Sequence, residues 1–432
     1  MFLLSLSLSF AHAFCGTYVG GADASLSNHA SRIGIAREGT RTTLTLFNDF
    51  EGDSTDFAML VPVPEVLGPE DVKTSTPEVI ARWDGFSAPR EVAYKCEDFM
   101  ETQYPQRSMG CYQDYALEGS MDAGAMDDTA GGVQVEAEFT VGAYDIVILS
   151  AEESSGLLNW LNGNGYAVSE NSASLLQNYI DGGSYFFAAK VHLEQIEVGS
   201  KWLPPLQFSY DSPVFGLPIR LGTLNGSATQ DLLLYILTSP EDGGVGISNY
   251  PEVTVEDECM FLPNSGEDMS GYYDRKLNEA LAKETRPAWI REYSIGAMHC
   301  DPCTGIELGD QDALDLGYTR SIWDSHLTRL HLRYDPTKVD QDLVFYTGAT
   351  GEDPDTGFGG STVDQIRFIQ YNADMEDRFP VCEQGMVANP GTCPTEPGAE
   401  ALGCSVSKEN RVSGGYIAAL LLGLGLWRRR KV

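Results

Sequence analysis

From His326 to Tyr334 the chain reads HLTRLHLRY, so Leu330, Leu332 and Tyr334 share one side of a two-residue repeat and Arg329, His331 and Arg333 the other. That period predicts a β-strand with one apolar and one basic face. The first reading is a solvated face whose cations pair with acidic cross-strand neighbours; the alternative is an anion-binding site. Arg32 to Arg37 and Thr42 to Asn48 flank Glu38-Gly39 as a hairpin, and Phe57 to Val63 reads as a strand ended by prolines. Strand signals recur at Val133 to Thr140, at Tyr144 to Ser150, and in the runs YFFAAKVHL from Tyr185, LQFSY from Leu206, LPIRL from Leu217 and DLLLYIL from Asp231.

Helical spacing is confined to short stretches. Pro77 to Trp83 carries proline in its first turn, and Ser154 to Leu161 and Ser172 to Tyr179 each open on serine. Asp274 to Glu284 places Leu277, Ala280 and Leu281 on one face, offers Glu279 and Lys283 as an i,i+4 pair, and is limited by Pro287. Leu117 to Gly132 lacks aromatic and β-branched bulk and reads as a mobile acidic loop, 117–132. Asp53-Ser54 leading to Phe57 and Pro62 is echoed by Asp211-Ser212 leading to Phe215 and Pro218, as two similar β subdomains would produce. The expected fold class is α+β, a mostly antiparallel sheet body with several short helices.

The two ends change the picture from a plain globular body. Residues 1–13, MFLLSLSLSFAHA, form an apolar run closing on Ala11-His12-Ala13, the small-x-small pattern cut by signal peptidase after Ala13. Residues 414–432 carry GGYIAALLLGLGLW followed by Arg428, Arg429, Arg430 and Lys431. At ~1.5 Å per residue the apolar part reaches about 21 Å, short of the roughly 30 Å hydrocarbon core. It reads as a short C-terminal transmembrane anchor with its basic cluster on the cytoplasmic side. Between these ends lie a β-rich extracytoplasmic body, 14–381, and a Cys-containing low-complexity tail, 382–413. The expected location is therefore exported, anchored at the membrane or cell surface. A net charge of −35 repels phosphate backbones, which argues against a nucleic-acid partner.

Nine cysteines fit an oxidising compartment. With Cys404 set aside in the tail, the rest allow local pairs Cys96–Cys111, Cys300–Cys303 and Cys382–Cys393, with Cys15–Cys259 by elimination. The segment AMHCDPCT gives Cys300 and Cys303 thioredoxin-like spacing with His299 adjacent, so a redox pair competes with a structural disulfide there. Zinc held by His299, Cys300 and Cys303 with His326 or His331 ranks below both, because export disfavours thiolate ligands. Asp353 and Asp355, with Glu352 and Asp364 nearby, begin like a calcium loop, and Asp310, Asp312 and Asp315 form a second acidic cluster. Neither completes the loop pattern, so an ordinary turn comes first; no cofactor is the base expectation, and calcium is the candidate behind it. Phosphate loops, nucleophile elbows and HExxH helices are absent from the sequence.

The ordered blocks RIGIAREGTRTTLTLFNDFEGDSTDFAMLVPVPEVL, YDIVILSAEESSGLLNWL, LPPLQFSYDSPVFGLPIRLG, HCDPC and TRLHLRYDPTKVDQDLVFY resemble a bacterial family of exported proteins defined as a domain of unknown function, family 2330. The resemblance spans roughly Cys15 to Tyr346 and implies export, a β-rich body and a cysteine-containing CDPC block, with no activity and no catalytic residues to carry over. The tail resembles a myxosortase-type sorting tag, in which Cys404 precedes Ile417 to Trp427 and Arg428 to Arg430 across a longer polar spacer. That resemblance implies processing at Cys404 by a sorting protease. The expected function is a non-enzymatic binding or structural protein acting on cell-envelope or surface components. A thiol-disulfide oxidoreductase using Cys300 and Cys303 is the alternative, and a calcium-stabilised adhesion module the third.

Overall fold

The computed structural model describes residues 17–20, 31–48, 56–92, 129–130, 132–164, 168, 172–192, 203–225, 229–255, 258–260, 269–296, 304–348 and 364–370. Its strands, in chain order, are β1 (Thr17–Gly20), β2 (Ser31–Glu38), β3 (Arg41–Asn48), β4 (Asp56–Val63), β5 (Val72–Thr74), β6 (Arg90–Val92), β7 (Thr129–Ala130), β8 (Val133–Val141), β9 (Tyr144–Ala151) and β10 (Tyr185–His192). They continue with β11 (Leu206–Asp211), β12 (Gly216–Leu217), β13 (Gln230–Thr238), β14 (Val245–Ile247), β15 (Glu258–Met260), β16 (Ala288–Gly296), β17 (His326–Tyr334), β18 (Leu343–Thr347), β19 (Asp364–Gln365) and β20 (Arg367–Gln370). The helices are α1 (Pro77–Ser87), α2 (Ser154–Gly163), α3 (Ala173–Asp181), α4 (Met269–Leu281) and α5 (Asp310–Asp315).

The larger of two compact units is a sandwich of a six-stranded sheet, β1-β4-β10-β9-β8-β7, and an eight-stranded sheet, β19-β16-β17-β13-β2-β3-β11-β5. Every neighbour in these sheets is antiparallel except β13 with β2. Met59, Val61, Ile146, Ile148 and Phe187 from the first sheet and Ile33, Ile35, Leu44, Leu234 and Leu332 from the second share one buried core. The rings of Phe187 and Phe208 stack across it with centroids 5.0 Å apart. Each sheet also buries its other face. Leu157 and Leu161 of α2 and Leu176 and Tyr179 of α3 cover Leu60, Leu149 and Phe186. Val79, Ile80, Trp83 and Phe86 of α1, with Ala313 of α5 and Leu316, cover Tyr235, Tyr293, Ile295 and Leu327. Burial on both faces is why DLLLYIL and FAMLVPV are nearly continuous apolar runs. The fold class is α+β, mostly antiparallel β with short helices, as the periodicity predicts.

Several boundaries differ from the local pattern for identifiable reasons. The β2–β3 hairpin turns at Gly39, whose φ of 62° suits a residue without Cβ. Gly34 on β2 leaves room for Leu316, since a Cβ there would lie 2.3 Å from its Cδ1. The helix predicted at Pro77 runs on to Ser87, because Phe86 adds another core contact one turn later. The helix expected at Asp274 to Glu284 starts earlier, at Met269, and ends at Leu281. Glu279 reaches back to Arg275 at 3.3 Å and Lys276 at 3.9 Å, so its partners lie N-terminal to it. LPIRL contributes only Gly216–Leu217 to a strand, in a small sheet β12-β18-β14, before a 3-10 turn at Leu221–Asn225. Phe57 therefore lies in an eight-residue strand and Phe215 just before a two-residue one, so the sequence echo joins unlike structures. Within 117–132, Thr129–Ala130 pair with β8, and 117–128 lie outside the described residues.

The second unit contains the parallel sheet β15-β20-β6, in which Cys259 pairs with Ile369 and Phe368 with Glu91. No helix among the described residues is long and apolar enough to cross a membrane. The signal segment 1–13, the tail 382–413 and the anchor 414–432 lie outside the described residues.

Candidate functional site: a buried ionic network

The basic stripe of β17 is paired with acids, as the sequence suggests, but it is not solvated. Arg329 is 5% exposed and His331 6%, and both sit on the outer face of the eight-stranded sheet under the helices. Their central partner is Glu292, which is 0% exposed. A β-bulge puts it there. Arg291 pairs with Leu330 and Tyr293 with Arg329, leaving Glu292 as the extra residue of β16. A bulge turns an additional side chain onto one face, so Glu292 points toward the stripe instead of into the apolar inter-sheet core.

Glu292 accepts from Arg329 Nε at 2.5 Å and faces His331 Nδ1 at 2.7 Å. The hydroxyl of Tyr273, on α4, also donates to it. The other ring nitrogen of His331 lies 2.8 Å from Asp231 Oδ1, which with Oδ2 also receives Arg333 Nε and Nη2 at 2.7 and 3.1 Å. Arg333 further donates to Asp274 and Asn278 of α4. Arg329 Nη1 reaches Asp84 Oδ1 on α1 at 2.8 Å, and its guanidinium stands 5.2 Å from the Tyr235 ring centroid. Tyr235 in turn donates to Asp84 at 2.7 Å. Two helices are thus tied to three strands through one charged cluster.

Proximity of opposite charges overrides burial. Burial alone would raise the Glu292 carboxyl, but the Arg329 and His331 charges and their hydrogen bonds hold it at about 2. Burial would likewise raise Asp231, and hydrogen bonds from His331 and Arg333 bring it to about 2. For His331 burial would favour the neutral ring, yet the Glu292 charge and the bond to Asp231 push it up to about 9. The ring is an imidazolium between two carboxylates, with both nitrogens engaged. Such an arrangement fixes position and charge; a general base needs a free lone pair.

His326 and His331, the alternative fourth ligands of the zinc reading, lie on opposite faces of β17, and both ring nitrogens of His331 already face carboxylates; His299, Cys300 and Cys303 lie outside the described residues. His326 bonds the Ser294 hydroxyl at 2.8 Å, and burial followed by the Arg291 charge lowers it to about 4. The acids of α5 serve local roles. Asp310 accepts from Ser321 Oγ and Ile322 N, Asp312 from Gly309 N and Arg82, and Asp315 from Gln311. Among the described residues no group of three or more His, Cys, Asp or Glu side chains is arranged to hold a metal ion. Asp364 is in β19 and Cys259 in β15. Outside the described residues are Ala13, Cys15, Cys96, Cys111, His299, Cys300, Cys303, Glu352, Asp353, Asp355, Cys382, Cys393, Cys404 and Arg428 to Arg430.

A second polar clasp lies at Asp342. It accepts from the backbone N–H groups of Ile219 and Arg220 at 2.9 and 3.0 Å, from Tyr179 of α3 at 2.8 Å, and from the Arg220 side chain at 3.0 Å. Asp342→Ala is expected to cost about 2 kcal/mol in urea unfolding, and Asp342→Asn less, because a charged acceptor serving several donors is worth more than a neutral one.

The residues that sequence reasoning missed are Glu292, Asp231, Asp84 and Tyr273. The signal for two of them was a lone acid in each of two apolar runs, WIREYSI and DLLLYIL. A carboxylate at such a position needs a partner to be buried.

Together these features define an αββα-layered β-sandwich in which a buried ion network locks the helices of one face to their sheet. The chain belongs to the bacterial family described as "Uncharacterized protein conserved in bacteria (DUF2330)", whose pattern matches residues 9–346. Neither the curated proteins nor the solved structures gave a match.

Proposed function

We propose that the chain is an exported protein, anchored at the membrane or cell surface by its C-terminus, that binds envelope components or supports them structurally without catalysing a reaction. The observation that carries this reading is the commitment of the best-equipped charged cluster to internal ion pairs: His331, Arg329 and Arg333 each face protein carboxylates. The apolar run ending at Ala13 and the Cys404-to-Arg430 tail support the location. Immobilised full-length protein incubated with envelope extract is expected to retain a saturable partner and leave the bound material chemically intact. Consumption of an extract component with no retained partner would overturn the reading, as would insulin reduction that is lost in Cys303→Ser.

A further inference from the structure

We propose that α4 is a releasable strap, latched to the eight-stranded sheet by the buried ion network and able to open while the rest of the larger unit stays folded. The other helices are fastened through apolar cores. α1 and α5 contribute to the core on the outer face of the eight-stranded sheet, and α2 and α3 to the one against the six-stranded sheet. Of the thirteen residues of α4 only Leu277 and Ala280 are buried, and neither belongs to any of the three apolar cores among the described residues. Asp274, Arg275, Asn278 and Glu279 are exposed on the same helix. A helix that leaves no apolar core when it lifts exposes little surface that water cannot satisfy, so its opening costs less than that of its neighbours.

Polar ties hold α4 on the sheet. The Tyr273 hydroxyl donates to Glu292 on β16 and lies 3.4 Å from His331 Nδ1 on β17. Arg333 of β17 donates to Asp274 and, at 3.1 Å, to Asn278. Tyr273, Leu277 and Ala280 recur at i, i+4 and i+7, so the tyrosine and the two buried apolar residues share one face. A hydrogen bond inside the protein replaces one to water, which makes each tie easy to exchange for solvent. The network beneath survives that exchange. Glu292 Oε2 holds Arg329, which reaches Asp84 on α1, and Oε1 faces His331, whose other nitrogen faces Asp231. Losing Tyr273 takes one donor from a carboxylate that keeps both its cations, so opening stops at α4. The open form withdraws Asp274 and Asn278 from Arg333 and the Tyr273 hydroxyl from Glu292, leaving a cation and a carboxylate short of partners that the closed form supplies.

The test follows amide hydrogen exchange of the full-length protein at rising urea concentrations below the unfolding midpoint, which separates local from global opening. Amides of α4 are expected to exchange sooner than those of β17, through openings that urea barely accelerates. Tyr273→Phe keeps the ring and removes the tie to Glu292, and should speed exchange in α4 by about tenfold, as the loss of a hydrogen bond to a charged group predicts. Glu279→Ala, which removes an exposed pair on the same helix, should change it by about twofold or less. Exchange of α4 in step with β17 at every urea concentration would overturn the proposal, because the helix would then open only when the whole unit unfolds. A Tyr273→Phe effect no larger than that of Glu279→Ala would overturn it too, by showing that the network does not latch the helix.

Discussion

Glu292→Ala is expected to destabilise the protein by about 3–5 kcal/mol, the loss typical of a buried ion pair stripped of one partner. The carboxylate is fully buried and neutralises two buried cations, Arg329 at 2.5 Å and His331 at 2.7 Å. Removing it leaves a guanidinium that cannot deprotonate beside an imidazole that keeps only Asp231 of the two carboxylates raising its pKa. The exposed pair Arg275–Glu279 provides the comparison: it too joins a guanidinium to a carboxylate, yet its removal is expected to cost about 0.3–0.5 kcal/mol, because solvent already screens it. A double variant, Glu292→Leu with Arg329→Met, should recover much of the loss, since an apolar pair of like volume avoids desolvating charge. Chemical denaturation of the native chain and the three variants decides the matter. A Glu292→Ala loss no greater than that of Glu279→Ala would show that the network is not held as described.

Stability should be greatest near pH 6.5 and should fall on both sides, by on the order of 3 kcal/mol toward pH 9. The alkaline limb belongs to His331. Its folded pKa of about 9 lies above the ordinary value of 6.5, so its contribution is complete below about 6.5 and is lost as pH rises through about 9. The acid limb begins with His326, whose folded value of about 4 lies below the ordinary 6.5, so its contribution is lost as pH falls from about 6.5 through about 4. It continues with Glu292 and Asp231. Their folded values of about 2 lie below the ordinary 4.5 and 3.8, so their contribution is present above those ordinary values and disappears as pH falls through about 2. His331→Gln isolates the alkaline limb: it should lower stability at pH 6 and flatten the slope from pH 6.5 to 9. Thermal melts across that range test it, and an unchanged slope in the variant would assign the alkaline loss to other groups.

Much of the architecture was legible because strand and helix periods are local properties. HLTRLHLRY is a strand over the residues its alternation predicts, and its two faces are divided as the pattern says. The Glu38-Gly39 hairpin was readable because a turn needing positive φ is met by glycine within the hairpin itself. The same local logic overestimated LPIRL, which has strand composition but is bent by Pro218 and held by Asp342, a residue more than a hundred positions away. It also misjudged where α4 begins, because Tyr273 and Leu277 draw that helix onto the network and the sheet.

Pattern and composition alone were enough for the strand and helix types, the split of β17 into apolar and basic faces, the acidic charge and the family. Packing had to be seen to learn that the basic face is buried, and which acids meet it. Asp84, Asp231 and Glu292 are scattered over more than two hundred residues, and no local spacing links them to Arg329 or His331. A cation's cost or worth depends on what packs above it. Alternation says which way a side chain points, and helices from distant segments decide whether that direction is water or a closed ring of carboxylates.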